Sequence, residues 1–192
     1  MIVRPCGDRA VLIDCADLAE AQGWFAALGG QAEVVLGART VLVHGEPRRL
    51  RALIAQTRPT AASASSGSLI EVPVTYDGPD LADVARLTGL STDEVVAAHI
   101  GRLWTVAFGG FAPGFSYLVD GDARLNVPRR ETPRTTVPAG AVGLAGEFSG
   151  IYPRASPGGW QLIGRTPVRL WDSERQPPAL LTPGHRVRFV IG

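Results

Sequence analysis

From residue 103 onward, short β-prone runs are cut apart by glycine and proline at close intervals: LWTVAFGGF, VPAGAVGLAG, GIYP, GWQLIG, VRLWD and HRVRFVIG. Glycine reaches φ values closed to other residues, and proline removes a backbone donor, so neither suits the interior of a long regular element. A stretch punctuated this densely cannot build long helices. It folds into short strands that turn often, the pattern of a closed or nearly closed β-barrel.

The first third has a different texture. RAVLIDC reads as a strand and DLAEAQGWFAAL as an amphipathic helix capped by Asp17. EVVLGARTVLVHG reads as a hairpin turning near Gly37-Ala38, and EPRRLRALIAQ as a second helix. This β-α-β-β-α order fits a small α+β sandwich. TRPTAASASSGS, residues 57 to 68, is poor in bulky apolar residues and rich in Ala and Ser, and reads as a linker. After it come a strand, LIEVPVTYD, and two short helices, DLADVARLTGL and STDEVVAAHIGRL. Ser91 and Glu94 make a capping-box pattern for the second helix. The expected organisation is therefore a small α+β domain over residues 1–68, with its linker at 57–68, followed by a mainly-β barrel domain over 69–192.

A formal net charge of +1 with no block of one sign gives no basic face of the kind nucleic-acid-binding proteins carry. The N-terminal stretch has no apolar signal core, and no run reaches the roughly 18 apolar residues needed to span a bilayer. The expectation is a cytoplasmic protein that binds neither membrane nor nucleic acid. Cys6 and Cys15 make neither a disulfide framework nor a zinc site and read as small buried residues on neighbouring strands. No metal-ligand pair occurs at helical spacing, so no metal site is expected.

All 19 basic residues are arginine; the chain has no lysine. That excludes a Walker-type phosphate loop, a Schiff-base lysine, a biotinyl-lysine and a covalently held pyridoxal group, each of which needs a primary amine. An anion bound here is held by arginine, backbone N–H groups or a partner. The planar guanidinium suits both carboxylate and phosphate because it donates two parallel hydrogen bonds.

Three segments mix residues in a way that a plain core does not require. GGFAPGFSYL, residues 109 to 118, places Gly109 beside Phe115 and Tyr117. GIYPRASPGGWQLIGRTP, residues 150 to 167, places Tyr152, Trp160 and Gln161 beside the Gly158-Gly159 pair and ahead of Arg165. Between them, NVPRRETPRTTVPAG sets Arg129, Arg130 and Arg134 on a proline-stiffened loop. Two aromatic-glycine segments with such a loop between them resemble walls of one cleft. The competing expectation is two barrel corners and a solvated loop. Of the three histidines, His44, His99 and His185, only His99 on its helix is a candidate proton carrier; the alternative is a structural hydrogen bonder. No G-x-S-x-G elbow is present.

GFAPGFSYL, VPRRETPRTTVPAGAVGLAG, IYPRASPGGWQLIGRTP and LLTPGHRVRF resemble, in order and spacing, the family of 5-oxoprolinase B subunits. It is also called allophanate hydrolase subunit 1 or the KipI-like family, and is related to the carboxyltransferase part of urea carboxylases. The resemblance is strong over residues 70 to 190. It implies a cyclophilin-like barrel after a small α+β domain. It implies work alongside two partners, a larger C-type subunit of the allophanate hydrolase subunit 2 kind, and a separate A-type subunit. It also implies ATP, with Mg, as co-substrate while the lactam of 5-oxoproline is opened to L-glutamate. Within that frame Arg129, Arg130 and Arg134, with Arg165 in reserve, are expected to neutralise phosphates and a substrate carboxylate. Gln161, Gly158 and Gly159 are expected to hold an amide, and Gly109, Phe115, Tyr117, Tyr152 and Trp160 to shape the cleft. His99 is the candidate proton carrier, and the chain alone is expected to be inactive. Some family members instead inhibit a sensor histidine kinase, and others belong with allophanate or urea amide hydrolase and carboxylase systems. Ser116, Ala141, Glu147-Phe148 and His185 depart from the family pattern.

Overall fold

A computed structural model describes residues 1–60 and 67–192. Residues 61–66, at the centre of the expected linker, lie outside the described residues. The chain divides into two compact units, Met1–Ala64 and Ser65–Gly192.

In the first unit β1 (Ile2–Pro5), β2 (Ala10–Asp14), β3 (Glu33–Leu36) and β4 (Thr40–His44) form an antiparallel sheet in the order β1-β2-β4-β3. Helices α1 (Leu18–Leu28) and α2 (Pro47–Gln56) pack on it, α1 against β3 and β4 and α2 against β2. Alternation decides which face they cover: Val11, Ile13, Val41 and Val43 are fully buried, while Leu12 and Leu42 between them are half-buried. Each such buried aliphatic side chain contributes about 1.5–3 kcal/mol. Asp17 accepts from the Glu20 N–H at 2.8 Å and starts α1. Glu46 accepts from the N–H groups of Arg48 and Arg49 and starts α2, with Pro47 at the first helical position. Strand β1 carries no alternation strong enough to be read beforehand, and its Pro5 is tolerated because β1 lies at the sheet edge. After α2, the Thr60 N–H donates to the Gly23 carbonyl at 3.3 Å, so the first residues of the expected linker run back along α1.

The second unit opens with β5 (Leu69–Val74), α3 (Leu81–Thr88) and α4 (Thr92–Ile100). Then follow β6 (Trp104–Gly109), β7 (Ser116–Val119), a 3-10 turn (Ala123–Leu125), β8 (Arg134–Val137), β9 (Ala141–Ala145) and β10 (Phe148–Ile151). β11 (Ser156–Gly158), β12 (Gln161–Arg165) and β13 (Arg186–Ile191) complete it. Seven strands form one mixed sheet in the order β12-β9-β10-β7-β6-β13-β5, with only β13 and β5 parallel. Its two ends meet. Thr75, just past β5, and Arg165, at the end of β12, exchange both backbone hydrogen bonds at 2.9 Å, so the sheet is nearly closed. Inside lie Val72, Val106, Leu118, Leu144, Ile151, Ile163 and Phe189. α3 packs on β12 and α4 on β13, and the Ser91–Glu94 capping box is present in full. One expected strand does not form: VRLWD contributes only a bridge from Trp171 to Ala179. Pro167 before it and Pro177-Pro178 after it leave it without a continuous ladder.

Candidate functional site

The arginine loop is built around a residue that sequence reasoning passed over. Asp80 lies just ahead of α3, its side chain only 2% exposed. Its Oδ1 accepts from Arg130 Nη1 at 2.8 Å and Arg134 Nη2 at 2.7 Å, and its Oδ2 accepts from the Leu162 N–H at 2.7 Å. The Asp80 N–H donates to the Leu162 carbonyl, so backbone and side chain both clip the start of α3 to β12. That approach needs Gly78, because a Cβ there would sit 2.3 Å from the Ile163 backbone. Burial alone would raise the Asp80 carboxyl. Hydrogen bonds from Arg134 and Leu162 and the charges of Arg134 and Arg130 outweigh it and hold the group below the usual range.

The loop is stitched to the second aromatic-glycine segment as well. β8 pairs with β11, with Arg134 opposite Gly158. The Arg130 N–H donates to the Gly159 carbonyl at 2.7 Å, and Gln161 Nε2 donates to the Pro128 carbonyl at 3.1 Å. Arg129 is therefore held between two anchored neighbours. Its own side chain is exposed and makes no hydrogen bond or ion pair among the described residues. Three buried polar atoms here lack partners: Arg130 Nε, Arg134 Nη1 and Gln161 Oε1.

The two aromatic-glycine segments meet, but as packed partners rather than as walls facing across a gap. Phe115 contacts Trp160 edge-on with centroids 5.4 Å apart, and Tyr117 lies 5.6 Å from Trp160. Phe115, Tyr152 and Trp160 are buried, Tyr117 and Phe148 half-buried. Gly150 lies under this stack, where a Cβ would come within 3.0 Å of both Phe115 Cζ and Trp160 Cζ3. Phe111 caps the stack edge-on to Phe115 and Tyr152, yet is 59% exposed and sits at φ 66°, a conformation bulky residues rarely hold. Burial raises the Tyr117 and Tyr152 phenols; the Arg129 charge opposes that at Tyr117, and a hydrogen bond from the Trp160 backbone and then the Arg129 charge oppose it at Tyr152.

His99 lies elsewhere, enclosed in the barrel. It is fully buried and stacks on Phe189 with centroids 4.2 Å apart. Its Nδ1 is 2.7 Å from the Tyr76 hydroxyl and its Nε2 3.0 Å from Ser149 Oγ. Burial depresses its pKa to about 3. With both nitrogens occupied and no exposure, this position gives no support to the proton-carrier role and fits a structural hydrogen bonder.

The remaining expected residues are dispersed. Arg165 bonds Asp77 at the barrel seam, and Gly109 ends β6 at the surface. Ser116 Oγ donates to the buried Leu181 carbonyl at 2.9 Å. Phe148 joins the aromatic stack edge-on to Tyr117, Glu147 is exposed, Ala141 is buried, and His185 Nε2 lies 3.2 Å from Thr182 Oγ1. A cavity of about 300 Å³ lies between α4 and the 3-10 turn; of its charged lining residues Glu94, Arg102, Asp122 and Arg124, the last two pair with each other. Among the described residues no cluster of His, Cys, Asp or Glu is arranged to hold a metal, and no helix is long and apolar enough to cross a membrane.

The fold is that of a carboxyltransferase-type domain. Residues 1–181 match the carboxyltransferase domain, subdomain C and D, and the chain belongs to that family. It is 52% identical over 124 residues to the B subunit of 5-oxoprolinase from Escherichia coli O157:H7, covering 63% of this chain and 57% of that protein. It is 41% identical over 170 residues to the B subunit of 5-oxoprolinase from Haemophilus influenzae, covering 83% of this chain and 78% of that protein. Among solved structures it resembles TTHA0988, with 35% identity and a TM-score of 0.78 over 96% of this chain and 40% of that one. The match thus spans little more than half the length of the E. coli relative.

Proposed function

We propose that the chain is one subunit of an ATP-dependent 5-oxoprolinase, acting with C-type and A-type partner subunits in the cytoplasm. In that assembly the lactam C–N bond of 5-oxoproline is hydrolysed to give L-glutamate, coupled to hydrolysis of ATP with Mg. The observation that carries this reading is the 41 to 52% identity to proteins named as B subunits of 5-oxoprolinase. Its second unit is then the cyclophilin-like barrel of that family. ATP-driven lactam opening needs stabilisation of charge on the amide oxygen and on the phosphates. This chain offers an exposed arginine on a loop paired to the second aromatic-glycine segment and no lysine, and its one candidate base, His99, is sealed in the core. Its part is to bind and orient a substrate, with the proton transfers and phosphate chemistry supplied by partners. The test is glutamate release from 5-oxoproline and ATP, by the purified chain and by the complex that co-purifies with it. The chain alone is expected to be inactive and the complex active. Turnover by the single chain, or a complex that cleaves a different amide and leaves 5-oxoproline intact, would overturn the proposal.

A further inference from the structure

The three loop arginines do not do the same job. Arg130 and Arg134 both bond Asp80 Oδ1, so their charge is largely spent on a buried carboxylate of this chain. Arg129 is the loop cation left over, exposed and without an ion-pair partner among the described residues, while Glu131, two positions on, is exposed and adds a negative charge to the loop. Its backbone is pinned on both sides, by Gln161 at Pro128 and by Gly159 at Arg130, so it presents its guanidinium from a fixed base. A polyphosphate calls for several uncompensated cations, whereas one fixed guanidinium matches one carboxylate.

A second, independent observation marks the same face. Phe111 holds a left-handed backbone conformation while exposing most of its ring, a combination that costs stability and gains only edge contacts. The turn that holds it is closed by hydrogen bonds from Ala112 to Gly110 at 2.7 Å and from Phe115 to Ala112 at 2.9 Å. Phe111 is edge-on to Tyr152, whose hydroxyl packs against Gly158, and the neighbouring Gly159 carbonyl holds the Arg130 N–H, so the strained ring and the backbone that carries the unspent cation flank the same phenol.

We infer that Arg129 and Phe111 form a subsite for one small monocarboxylate carried on a compact ring, Arg129 taking the carboxylate and Phe111 the ring, and that nucleotide phosphates bind elsewhere in the assembly. This deepens the proposed function and rests on it only for the identity of the ring acid.

The test is a saturation-transfer NMR titration of the purified full chain with four probes: 5-oxoproline, cyclopentanecarboxylate, neutral 2-pyrrolidinone and Mg-ATP. The two carboxylates should bind saturably and compete, with 2-pyrrolidinone at least tenfold weaker and ATP not competing. Arg129→Gln should weaken both carboxylates at least tenfold, whereas Arg154→Gln, at another exposed arginine, should change nothing. Phe111→Gly should weaken them several-fold while the melting temperature holds or rises, which a merely structural ring would not allow. Cyclopentanecarboxylate binding through Arg129 without 5-oxoproline binding would keep the subsite and remove the 5-oxoproline assignment. Binding of 5-oxoproline that survives Arg129→Gln would overturn the subsite and leave the assignment standing. No saturable carboxylate binding to the folded chain, or ATP binding that depends on Arg129, would overturn the inference outright.

Discussion

Arg134 donates at 2.7 Å to the buried carboxylate of Asp80, across 54 positions of sequence, and this bond joins the arginine loop to the start of α3. Arg134→Ala leaves Asp80 buried with Arg130 and the Leu162 N–H as its remaining partners. Losing one charge-assisted bond to a buried acceptor costs about 1–3 kcal/mol. Urea unfolding should show a loss of that size, whereas Arg154→Ala at the exposed surface should stay within about 0.5 kcal/mol. Equal midpoints for the two variants would mean that Asp80 is satisfied without Arg134.

Asp80 should also make itself felt in acid. Its folded pKa is lowered, so the unfolded chain binds the proton more readily and the stabilisation is present above the unfolded value. That contribution is intact above about pH 4 to 5 and is lost as pH falls through the ordinary aspartate range near about 3.9 and below. Asp80→Asn should be less stable at pH 7 and should show a flatter decline below pH 4. An unchanged slope below pH 4 would place the titrating carboxylate elsewhere.

His99 titrates in a different window. It is buried neutral with a folded pKa of about 3, below the unfolded value, so the unfolded state binds the extra proton between these two limits. Stability should therefore be flat above about pH 6.5 and fall by up to about 1.4 kcal/mol per pH unit below it. His99→Gln should remove that slope, whatever it does to stability at neutral pH. Ser149→Ala leaves Nε2 without a partner and should cost about 1–3 kcal/mol at pH 7. A slope that persists in His99→Gln would assign the effect to another group.

The broad architecture was legible because it is written in local signals. The Gly and Pro spacing after residue 103, the Asp17 cap and the Ser91–Glu94 box each act over a few residues, and the barrel, α1 and α4 follow from them. What was hidden depends on distant pairing. Asp80, read locally, is an acid ahead of a helix, yet it makes no capping bond and instead faces arginines 50 and 54 positions away. His99 looked available on its short helix, but only the packing of Tyr76, Trp104, Phe189 and Ser149 around it decides that it is sealed. VRLWD has strand composition and lacks a ladder, since proline on both flanks interrupts pairing that composition alone cannot reveal.

The mixture of glycine with large rings has a steric cause that can be tested at Gly150. Its φ is not in the left-handed region, so Gly150→Ala meets no backbone penalty, only the crowd above it. The new methyl would lie 3.0 Å from Phe115 Cζ and from Trp160 Cζ3 and 3.2 Å from the Ser116 carbonyl oxygen. Neither ring can yield freely, because Phe115 is packed edge-on against Phe111, Tyr117 and Tyr152 while Trp160 is packed against Phe115 and Tyr117. Overpacking of this kind costs about 1–3 kcal/mol. Gly109→Ala is the matched control: the nearest heavy atom to its added methyl is 3.7 Å away, so its stability should stay within about 0.5 kcal/mol. Adding Trp160→Leu to Gly150→Ala should recover part of the loss, since the smaller side chain vacates the space the methyl needs. Urea unfolding of both single variants and the double variant measures that coupling. Strict additivity would mean that Gly150 is required for some reason other than the Trp160 ring.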